Sequence, residues 1–357
     1  MRILYLCADR GIPLLGAKGA SVHVRAISSA LQARGHDVTV ACARTGSGNP
    51  PPEVEQVVEL ARAGPGDISP LVAATGAEAV VERYSLCATA GLEAARAAGV
   101  PLVVEVNAPL VWEAARYRGF TDIAAGLAAE TALFEGATAV PTVSRALQRY
   151  VSSVAPATPV HWVPNGVDPD RFHTPPAAVP GVGPDATVVG FVGSMKPWHG
   201  VADLLAAFGQ LAASYPGLHL VVAGSGPEEG PVRDAVPAAL AARVHLLGAL
   251  PHSDIPGLVA RFDIAVAPYR PSEDFYFCPL KVLEYLAAGR PVVYPELGDM
   301  PELVGPGGEP FAPGDVGAMA EAIGRRAGRP EDRARMGRAA RQSGARWTWD
   351  RAAADVE

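Results

Sequence analysis

The segment FYFCPLKVLEYLAAGRPVV, residues 275–293, places Lys281 and Glu284 near the start of a predicted helix. Its apolar residues repeat at the spacing of a buried helical stripe, which consists of Leu280, Leu283, Leu286 and Ala287. Gly289, followed closely by a proline, predicts the end of that helix. A helix start attracts anions, and a carboxylate can accept hydrogen bonds from the two hydroxyls of a ribose. The segment therefore predicts a nucleotide site, and its alternative is a Lys281–Glu284 surface pair worth roughly 0.3 kcal/mol.

A second group of chemically useful residues lies in GSMKPWHG, residues 193–200. Gly193 and Gly200 enclose Lys196 and His199 directly after a predicted strand. Backbone N–H groups and a cation in one loop can stabilise a departing diphosphate. The alternative for the histidine is a solvated position in an ordinary loop.

Two further glycine-rich loops follow predicted strands. Gly16 and Gly19 precede the first long helix, and Gly224 and Gly226 lie in AGSGPE. Glycine lets the backbone approach a ligand at the carboxyl ends of parallel strands. The alternatives are a flexible loop for the first pair and a tight turn for the second, since neither loop has the dinucleotide pattern GxGxxG.

The elements that would position these loops are short apolar runs alternating with helical patterns, as in βαβ units. In the first half the predicted strands are 2–7, 37–42, 79–84, 101–106, 138–144 and 160–164. In the second half they are 187–193, 219–224, 244–248, 263–269 and 291–295. Between the halves, residues 168–186 carry five prolines and no periodicity, which predicts a connection between two domains. A chain of 357 residues also exceeds the usual size of one core.

Composition excludes several classes of function. The net charge of -7 argues against binding nucleic acid or an anionic membrane surface. The four cysteines form no CxxC pair, which predicts a reducing, cytoplasmic location. The first apolar run, about six residues long, is too short for a signal peptide, and no run is long enough to span a bilayer. Asp168 and Asp170 imitate a DxD metal motif, but they lie in the predicted connection, so we predict no metal.

Ordered stretches of the chain resemble glycosyltransferase family 4, whose members are retaining enzymes of the GT-B fold. The similar second-domain stretches are VPNGVDPDRF, FVGSMKPWHGVADLL, VAGSGPE, LGALPHSDIPGLVARFDIAVAPY and PLKVLEYLAAGRPVV. GASVHVRAISSALQARGHDVTV resembles the first helix of the family. The resemblance covers nearly the whole chain and implies an α/β fold with two Rossmann-like, doubly wound domains facing a central cleft.

The resemblance and the strand pattern together predict four segments. Residues 1–168 form an acceptor-binding domain, 169–186 a proline-rich linker, 187–340 a domain for the nucleotide sugar, and 341–357 a tail helix that packs toward the N-terminal domain. Trp347 and Trp349 are predicted to be packing anchors of this tail.

Several residues depart from the family pattern. In the family a pair of glutamates spaced E-x7-E closes over the donor; Glu284 matches the second, which holds the ribose, and Tyr276 replaces the first. The phosphate-binding arginine and lysine of the family fall on Ser194 and His199, so the resemblance implies that Lys196 replaces the missing charge. A further histidine of the family corresponds to Asn107. These departures leave open an inactive copy, but the coherence of FYFCPLK, PWHG and EVNAP favours an active branch.

The resemblance implies two sets of site residues. The catalytic set comprises Lys196, His199, Glu105 and Asn107. The donor-binding set comprises Gly16, Gly19, Gly193, Ser194, Gly224, Gly226, Tyr276, Cys278, Pro279, Leu280, Lys281 and Glu284. Glu105, at a strand end, either binds hydroxyls of the acceptor or sugar or is a surface charge, and the neighbouring Glu82 and Arg83 are predicted to form a structural pair.

The implied function is transfer of a sugar from a nucleotide-diphosphosugar (UDP, GDP or dTDP) to a small soluble acceptor, with retention of configuration. The nucleotide sugar is a co-substrate, and no cofactor is expected. We also expect no nucleic-acid partner, no membrane insertion, and a monomer or homodimer. The alternative from another class is a non-catalytic protein that binds a nucleotide sugar and assists another enzyme.

Overall fold

The computed structural model describes residues 1–16, 18–47, 54, 56–272 and 275–357, which divide into two compact units. The first unit contains Met1–Asn165, Tyr276–Cys278 and Trp349–Glu357. The second contains Gly166–Phe275 and Pro279–Thr348. Residues 169–186, the predicted linker, lie within the second unit, where Pro169–Phe172 form a short 3-10 helix.

The first unit is a doubly wound parallel α/β fold. Its five-stranded sheet has the order β3-β2-β1-β4-β5, and β6 and β7 form a separate parallel pair. The strands are β1 (Arg2–Cys7), β2 (Asp37–Cys42), β3 (Gln56–Glu59), β4 (Ala79–Arg83), β5 (Leu102–Glu105), β6 (Val140–Thr142) and β7 (Val160–Trp162). The helices are α1 (Gly19–Ala33), α2 (Pro65–Thr75), α3 (Ala90–Ala98), α4 (Leu110–Tyr117), α5 (Ile123–Gly136), α6 (Arg145–Val154) and, from the chain end, α14 (Trp349–Val356). All six predicted strands are confirmed, whereas β3 is additional.

The second unit repeats this architecture. Its six parallel strands have the order β10-β9-β8-β11-β12-β13. They are β8 (Thr187–Val192), β9 (Leu218–Ala223), β10 (Val244–Leu246), β11 (Ile264–Val266), β12 (Val292–Pro295) and β13 (Gly308–Phe311). The helices are α7 (Val201–Leu211), α8 (Glu229–Asp234), α9 (Ile255–Ala260), α10 (Leu280–Ala287), α11 (Met300–Val304), α12 (Val316–Ala327) and α13 (Pro330–Gly344). The five predicted strands are confirmed, and β13 was not predicted.

Two helices differ from the sequence prediction. Helix α10 has the expected bounds, but it is buried on nearly all sides, including Lys281, while Leu280 is only half-buried. The predicted tail helix is two elements, because α13 ends at Gly344 and α14 begins at Trp349. The Trp347 indole donates to the Leu303 carbonyl (3.0 Å), and α14 joins the first unit. Its Asp350 pairs with Arg34, the C-cap residue of α1 (3.1 Å).

Strand β4 contains the carboxyl group of Glu82, whose burial the sequence does not indicate. The predicted Glu82–Arg83 pair is wrong, because consecutive strand residues point to opposite faces of a sheet. Glu82 is fully buried, and neither of its carboxyl oxygens has a partner among the residues that the structure describes. It lies against Gly91 of α3, where an added Cβ would come within 2.1 Å of Oε2. Burial raises the pKa of Glu82 to about 8.

This carboxyl group should make folding stability fall as pH rises. Its folded pKa of about 8 exceeds the ordinary 4.5, so its contribution is complete below 4.5 and is lost as pH rises through about 8. Between about pH 6 and about pH 8 the wild type should therefore lose about 2–3 kcal/mol more than Glu82→Gln, which cannot ionise. Urea unfolding of both proteins at the two pH values measures this difference. Parallel pH profiles would contradict a protonated Glu82.

Candidate functional site

The loops after β8 and β9 pack directly against each other through their glycines. Gly224 (φ 142°) lies so close to the Gly193 carbonyl that an added Cβ would come within 1.9 Å of its oxygen. At Gly226 (φ 154°) the same atom would come within 2.7 Å of the Met195 carbonyl oxygen. Close backbone packing therefore requires glycine at positions 224 and 226, and their predicted contact with the donor stays a prediction.

Lys281 is the central feature of this edge of the sheet. It is only 9% exposed, and its Nζ has no hydrogen-bond partner within the described part of the chain. A Cβ added to Gly193 would lie 2.5 Å from Nζ, so the amine contacts the backbone where β8 ends. The rings of Phe191 and Tyr269 lie 4.0 Å and 5.2 Å from Nζ, measured to their centroids. The alternative of a Lys281–Glu284 surface pair is wrong, because Lys281 is buried and no carboxylate among the described residues pairs with it.

The environment of Lys281 disfavours its charged form. Burial lowers the pKa of Lys281 to about 7, and the nearby Glu284 carboxylate opposes this shift only in part. A buried ammonium without a partner costs free energy that an anionic ligand can recover. Lys281 is therefore a candidate anion-binding residue next to a glycine backbone.

Glu284 lies one turn further along α10. Its side chain is 14% exposed, and one carboxylate oxygen lies 3.4 Å from Nε2 of His252. The Arg171 guanidinium in turn contacts Nδ1 of His252 (3.1 Å). This chain of contacts orients the Glu284 carboxylate and leaves it capacity for further hydrogen bonds from hydroxyl groups.

The contacts of His199 determine the protonation state of its ring. Its Nδ1 contacts the Ser194 carbonyl oxygen, which can only accept, so Nδ1 carries the proton and donates. Burial, followed by the charges of Lys281 and Lys196, lowers the pKa of His199 to about 3. The ring is therefore neutral, and Nε2 is an acceptor. A phosphate contact of His199 would require the protonated ring, which a nearby anion favours, and this contact stays a prediction.

The rest of the β8 loop is more exposed. Ser194 is exposed, and its Oγ lies 3.3 Å from Nδ1 of His199. Lys196 is half-buried, with Nζ 5.9 Å from the centroid of the Trp198 ring. Trp198 itself is 38% exposed, so it packs less completely than an anchor residue would. Lys196 therefore remains available to a ligand at the same strand end as Lys281.

In the first unit, the carboxylate of Glu105 makes buried contacts that support the fold. It is 4% exposed and accepts hydrogen bonds from the Tyr5 hydroxyl and from Nε2 of His23 (3.4 Å). The other nitrogen of His23 contacts the Asn165 side-chain oxygen (2.8 Å). Burial alone would raise the pKa of Glu105, but His23, Tyr5 and Arg83 together hold it below its ordinary value.

Asn107 lies next to this network. Its Nδ2 is buried and has no partner among the described residues. It lines a cavity of about 10 Å³ together with His23, Glu105 and Trp349, which is about enough for one water molecule. The structure therefore brings Glu105 and Asn107 together, as the sequence suggested, but at a water-sized cavity.

Of the other predicted donor-binding residues, Gly16 and Gly19 lie in the first unit, and Pro279 and Leu280 lie in the second. Gly16 accommodates a tight turn, with its N–H donating to the Pro13 carbonyl (2.9 Å), and Gly19 is the first residue of α1. Pro279 precedes α10 and Leu280 begins it, so both lie in the second unit beside Lys281.

Tyr276 and Cys278 belong to the first unit. The Tyr276 hydroxyl donates to the Glu113 carboxylate of α4. Asn165 donates its backbone N–H to the Cys278 sulfur (3.3 Å) and its side-chain amide to the Cys278 carbonyl (2.7 Å). At position 276 the resemblance implies a glutamate. This chain has a tyrosine there, and its hydroxyl is hydrogen-bonded to Glu113.

Sequence reasoning missed several residues of these sites. His252 and Arg171 orient Glu284, and Tyr269 and Phe191 enclose Lys281. No local spacing indicates them, because each comes from a separate segment of the chain. Within the described ranges no group of three or more His, Cys, Asp and Glu side chains is arranged to hold a metal ion. Those ranges also contain no helix that is long and apolar enough to cross a bilayer.

Comparisons with known protein families agree with this architecture. Residues 17–171 match the family described as Glycosyltransferase Family 4, and residues 186–327 match the family described as Glycosyl transferases group 1. The glycogen synthase of Mycobacterium tuberculosis is 29% identical, over 96% of this chain and 90% of that protein. The 2-deoxystreptamine glucosyltransferase of Streptomyces kanamyceticus is 30% identical, over 46% of this chain and 44% of that protein.

Solved structures show the same fold. The sucrose-phosphate synthase of Thermosynechococcus elongatus superposes with a TM-score of 0.76 at 21% identity, covering 99% of this chain and 97% of that one. HepE of Anabaena, solved in complex with UDP and glucose, superposes with a TM-score of 0.73 at 21% identity, covering 100% and 98%. The chain is therefore a glycosyltransferase of the GT-B fold, with a family 4 domain followed by a group 1 domain.

Proposed function

We propose that this chain is a retaining glycosyltransferase that uses a nucleotide-diphosphosugar as donor and binds the donor through its second unit. The observation that carries the proposal is the buried, unpartnered Nζ of Lys281 beside Gly193. HepE of Anabaena, which has a similar fold, was solved in complex with UDP and glucose. This supports a donor of the same chemical class here.

The diphosphate is the part of the donor that fits Lys281. Its oxygens accept charge-assisted hydrogen bonds, and a nearby anion favours the protonated amine. Lys196, on the loop after β8, can add a second charge. In the transition state negative charge accumulates on the departing diphosphate, so these two lysines would lower the barrier by stabilising that charge.

The ribose is the part that fits Glu284. A carboxylate accepts hydrogen bonds from two neighbouring hydroxyls, and Glu284 is held in place by His252 (3.4 Å). The ribose and the phosphates of one nucleotide would thus bind along α10, at Glu284 and near its first turn at Lys281. The spacing of three residues puts both side chains on neighbouring positions of the helix surface.

The reaction follows the front-face course. The acceptor hydroxyl attacks the anomeric carbon from the side on which the diphosphate leaves, and a phosphate oxygen of the donor takes the proton. A new glycosidic bond forms as the bond to the phosphate oxygen breaks, and the nucleoside diphosphate departs. This course needs no enzyme nucleophile, which agrees with the occupied contacts of Glu105 in the first unit.

The proposed acceptor is a small, soluble molecule bound by the first unit. The net charge of -7 disfavours an anionic membrane surface. The relative from Streptomyces kanamyceticus is named for 2-deoxystreptamine, which supports an acceptor of this kind.

A second candidate function is a non-catalytic protein that binds a nucleotide sugar. It is favoured by Tyr276, which stands where the family has a glutamate and donates to Glu113. A donor-hydrolysis assay separates the two functions. Slow release of UDP, GDP or dTDP from a nucleotide sugar supports the enzyme, whereas tight binding without release supports the partner protein.

A thermal-shift screen of nucleotides and nucleotide sugars tests the proposal. A ligand that binds only the folded state, at 100 times its dissociation constant, adds about 2.7 kcal/mol to stability. We expect stabilisation by at least one of UDP, GDP and dTDP and by a matching nucleotide sugar. No stabilisation by any of them would contradict the proposed donor.

Replacing Glu284 with alanine should weaken nucleotide binding about 10- to 100-fold, since hydrogen bonds to a charged group contribute about 1.5–3 kcal/mol. The effect should be absent for inorganic pyrophosphate, which has no ribose. Isothermal titration of both ligands measures this difference. Glu321→Ala, on an exposed side chain of α12, is the matched control and should bind like the wild type. An equal loss for pyrophosphate would place Glu284 at the phosphates instead of the ribose.

A further inference from the structure

A second group of basic residues lies at the opposite edge of the sheet in the second unit. A cavity of about 740 Å³ is lined by Asp263, Arg290, Arg333, Arg338, Arg341 and Gln342, and we call it the basic groove. Asp263 and Arg290 precede β11 and β12, so the groove lies at the amino ends of these strands. Lys281 lies near the start of α10, and Gly289 of the groove follows the end of that helix, so the two are separated by about 12 Å along the helix.

Part of this positive charge has a structural purpose. Arg290 donates to the carbonyls of Phe262 (2.9 Å) and Ala288 (3.1 Å), and Arg333 donates to those of Arg326 (2.8 Å) and Ala327 (2.7 Å). These carbonyls lie at or just beyond the ends of three helices, where cations are favourable. Arg290 and Arg333 therefore support the fold.

The rest of the charge is not neutralised by the protein. Asp263 is the only carboxylate among the residues lining the groove, and it is already shared by Arg261 (3.5 Å), Arg333 (3.7 Å) and the Val188 N–H (2.9 Å). Arg338 and Arg341 are exposed, and no carboxylate in the described ranges forms an ion pair with either one. Arg341 also donates to the Ala288 carbonyl (3.4 Å), a neutral acceptor that leaves its charge uncompensated. This local excess of positive charge is opposite in sign to the net charge of the chain, which is -7.

The arginines also influence one another. Burial lowers the pKa of Arg290 first, and the like charges of Arg341 and Arg261 lower it further against the opposing effect of Asp263. The groove is thus a region of positive potential that an anion would relieve. Its volume lies within the range of 300–1,000 Å³ that is typical of small-molecule sites.

We propose that the basic groove binds the phosphate group of a small ligand, through Arg338 and Arg341. The planar guanidinium matches two phosphate oxygens at once, and two such groups on one helix face can grip one phosphate. The ligand is either free phosphate or a phosphate ester whose organic part fills the remaining volume. This site is independent of the proposed donor site at Lys281.

Titration calorimetry in phosphate-free buffer, with inorganic phosphate and glucose 6-phosphate as probes, tests the proposal. The double variant Arg338→Ala/Arg341→Ala should weaken binding at least tenfold, and Arg338→Ala alone should weaken it less. Arg335→Ala is the matched control, because Arg335 is on the same helix but pairs with Asp332 (2.8 Å) outside the groove; it should bind like the wild type. Lys281→Met should also retain this binding, which separates the groove from the donor site.

The probes distinguish the two sources of phosphate. Binding of glucose 6-phosphate at least tenfold tighter than inorganic phosphate identifies an ester, and equal affinities identify free phosphate. Three results would overturn the proposal: no binding of either probe up to about 10 mM, equal weakening by Arg335→Ala, or loss of all binding in Lys281→Met. The last result would assign the phosphate to the donor site.

Discussion

Replacing Lys281 with methionine should weaken nucleotide binding about 10- to 100-fold and at the same time stabilise the ligand-free protein. Methionine retains the length and the apolar stem of lysine but removes the ammonium group. Losing a charge-assisted hydrogen bond to phosphate costs about 1.5–3 kcal/mol of binding free energy. In the free protein the same change removes an unpartnered buried donor, which should add about 1 kcal/mol or more to the free energy of unfolding.

The two opposite effects are the signature of a functional lysine. Titration with UDP and with pyrophosphate measures the affinity, and both should fall, in contrast to the expected behaviour of Glu284→Ala. Urea unfolding measures the stability. Lys196→Met is the stability control, because Lys196 is a half-buried lysine on the loop after β8; it should leave the free energy of unfolding within about 0.5 kcal/mol. Wild-type affinity in Lys281→Met would refute the proposed phosphate site.

The pH dependence of Lys281 gives an independent check. Its folded pKa of about 7 lies below the ordinary 10.5, so the unfolded chain binds more protons between these values. The wild type should therefore gain stability from this group as pH rises from about 7 to about 10.5, and Lys281→Met should lack that gain. This window lies mostly above the one expected for Glu82, and the two groups have opposite signs.

Replacing Glu105 with alanine should destabilise the protein by about 3–5 kcal/mol, which is the largest stability effect expected here. The change leaves the Tyr5 hydroxyl and Nε2 of His23 without their acceptor in a buried site. Urea unfolding at neutral pH measures the loss. Since the pKa of Glu105 is held below its usual value, its contribution is present above about 4.5 and is lost as the pH falls further.

Two variants separate this structural role from a catalytic one. Tyr5→Phe removes one hydrogen bond to Glu105 and should cost only about 1 kcal/mol. If Glu105→Gln is as stable as the wild type but its turnover is strongly reduced, the carboxylate acts on a substrate. An alanine variant as stable as the wild type would contradict the buried network.

Much of the fold could be predicted from the sequence, because the strands of two-sided parallel sheets are continuous apolar runs. β3, with sequence QVVE, and β13, with sequence GEPF, escaped prediction since both are short and bounded by polar residues or proline. The break in the tail helix at residues 345–348 was also not predicted. It depends on the hydrogen bond from Trp347 to Leu303 in the second unit and on the assignment of α14 to the first unit.

The candidate site could be predicted only in part. Lys281 and Glu284 are apparent from their spacing at the start of a helix, but a hydrophobic stripe implies that a lysine points outward. Its burial depends on Phe191 and Tyr269, which are distant in sequence. The neutral state of His199 likewise depends on its burial and on the nearby charges of Lys281 and Lys196, and no sequence pattern indicates this environment.

A crystal structure of the protein with UDP, or with whichever nucleoside diphosphate stabilises it most, tests the central claim directly. The proposal predicts a diphosphate oxygen at about 2.7–2.9 Å from Nζ of Lys281 and ribose hydroxyls on the Glu284 carboxylate. A nucleotide bound elsewhere, with Lys281 still unpartnered, would contradict it.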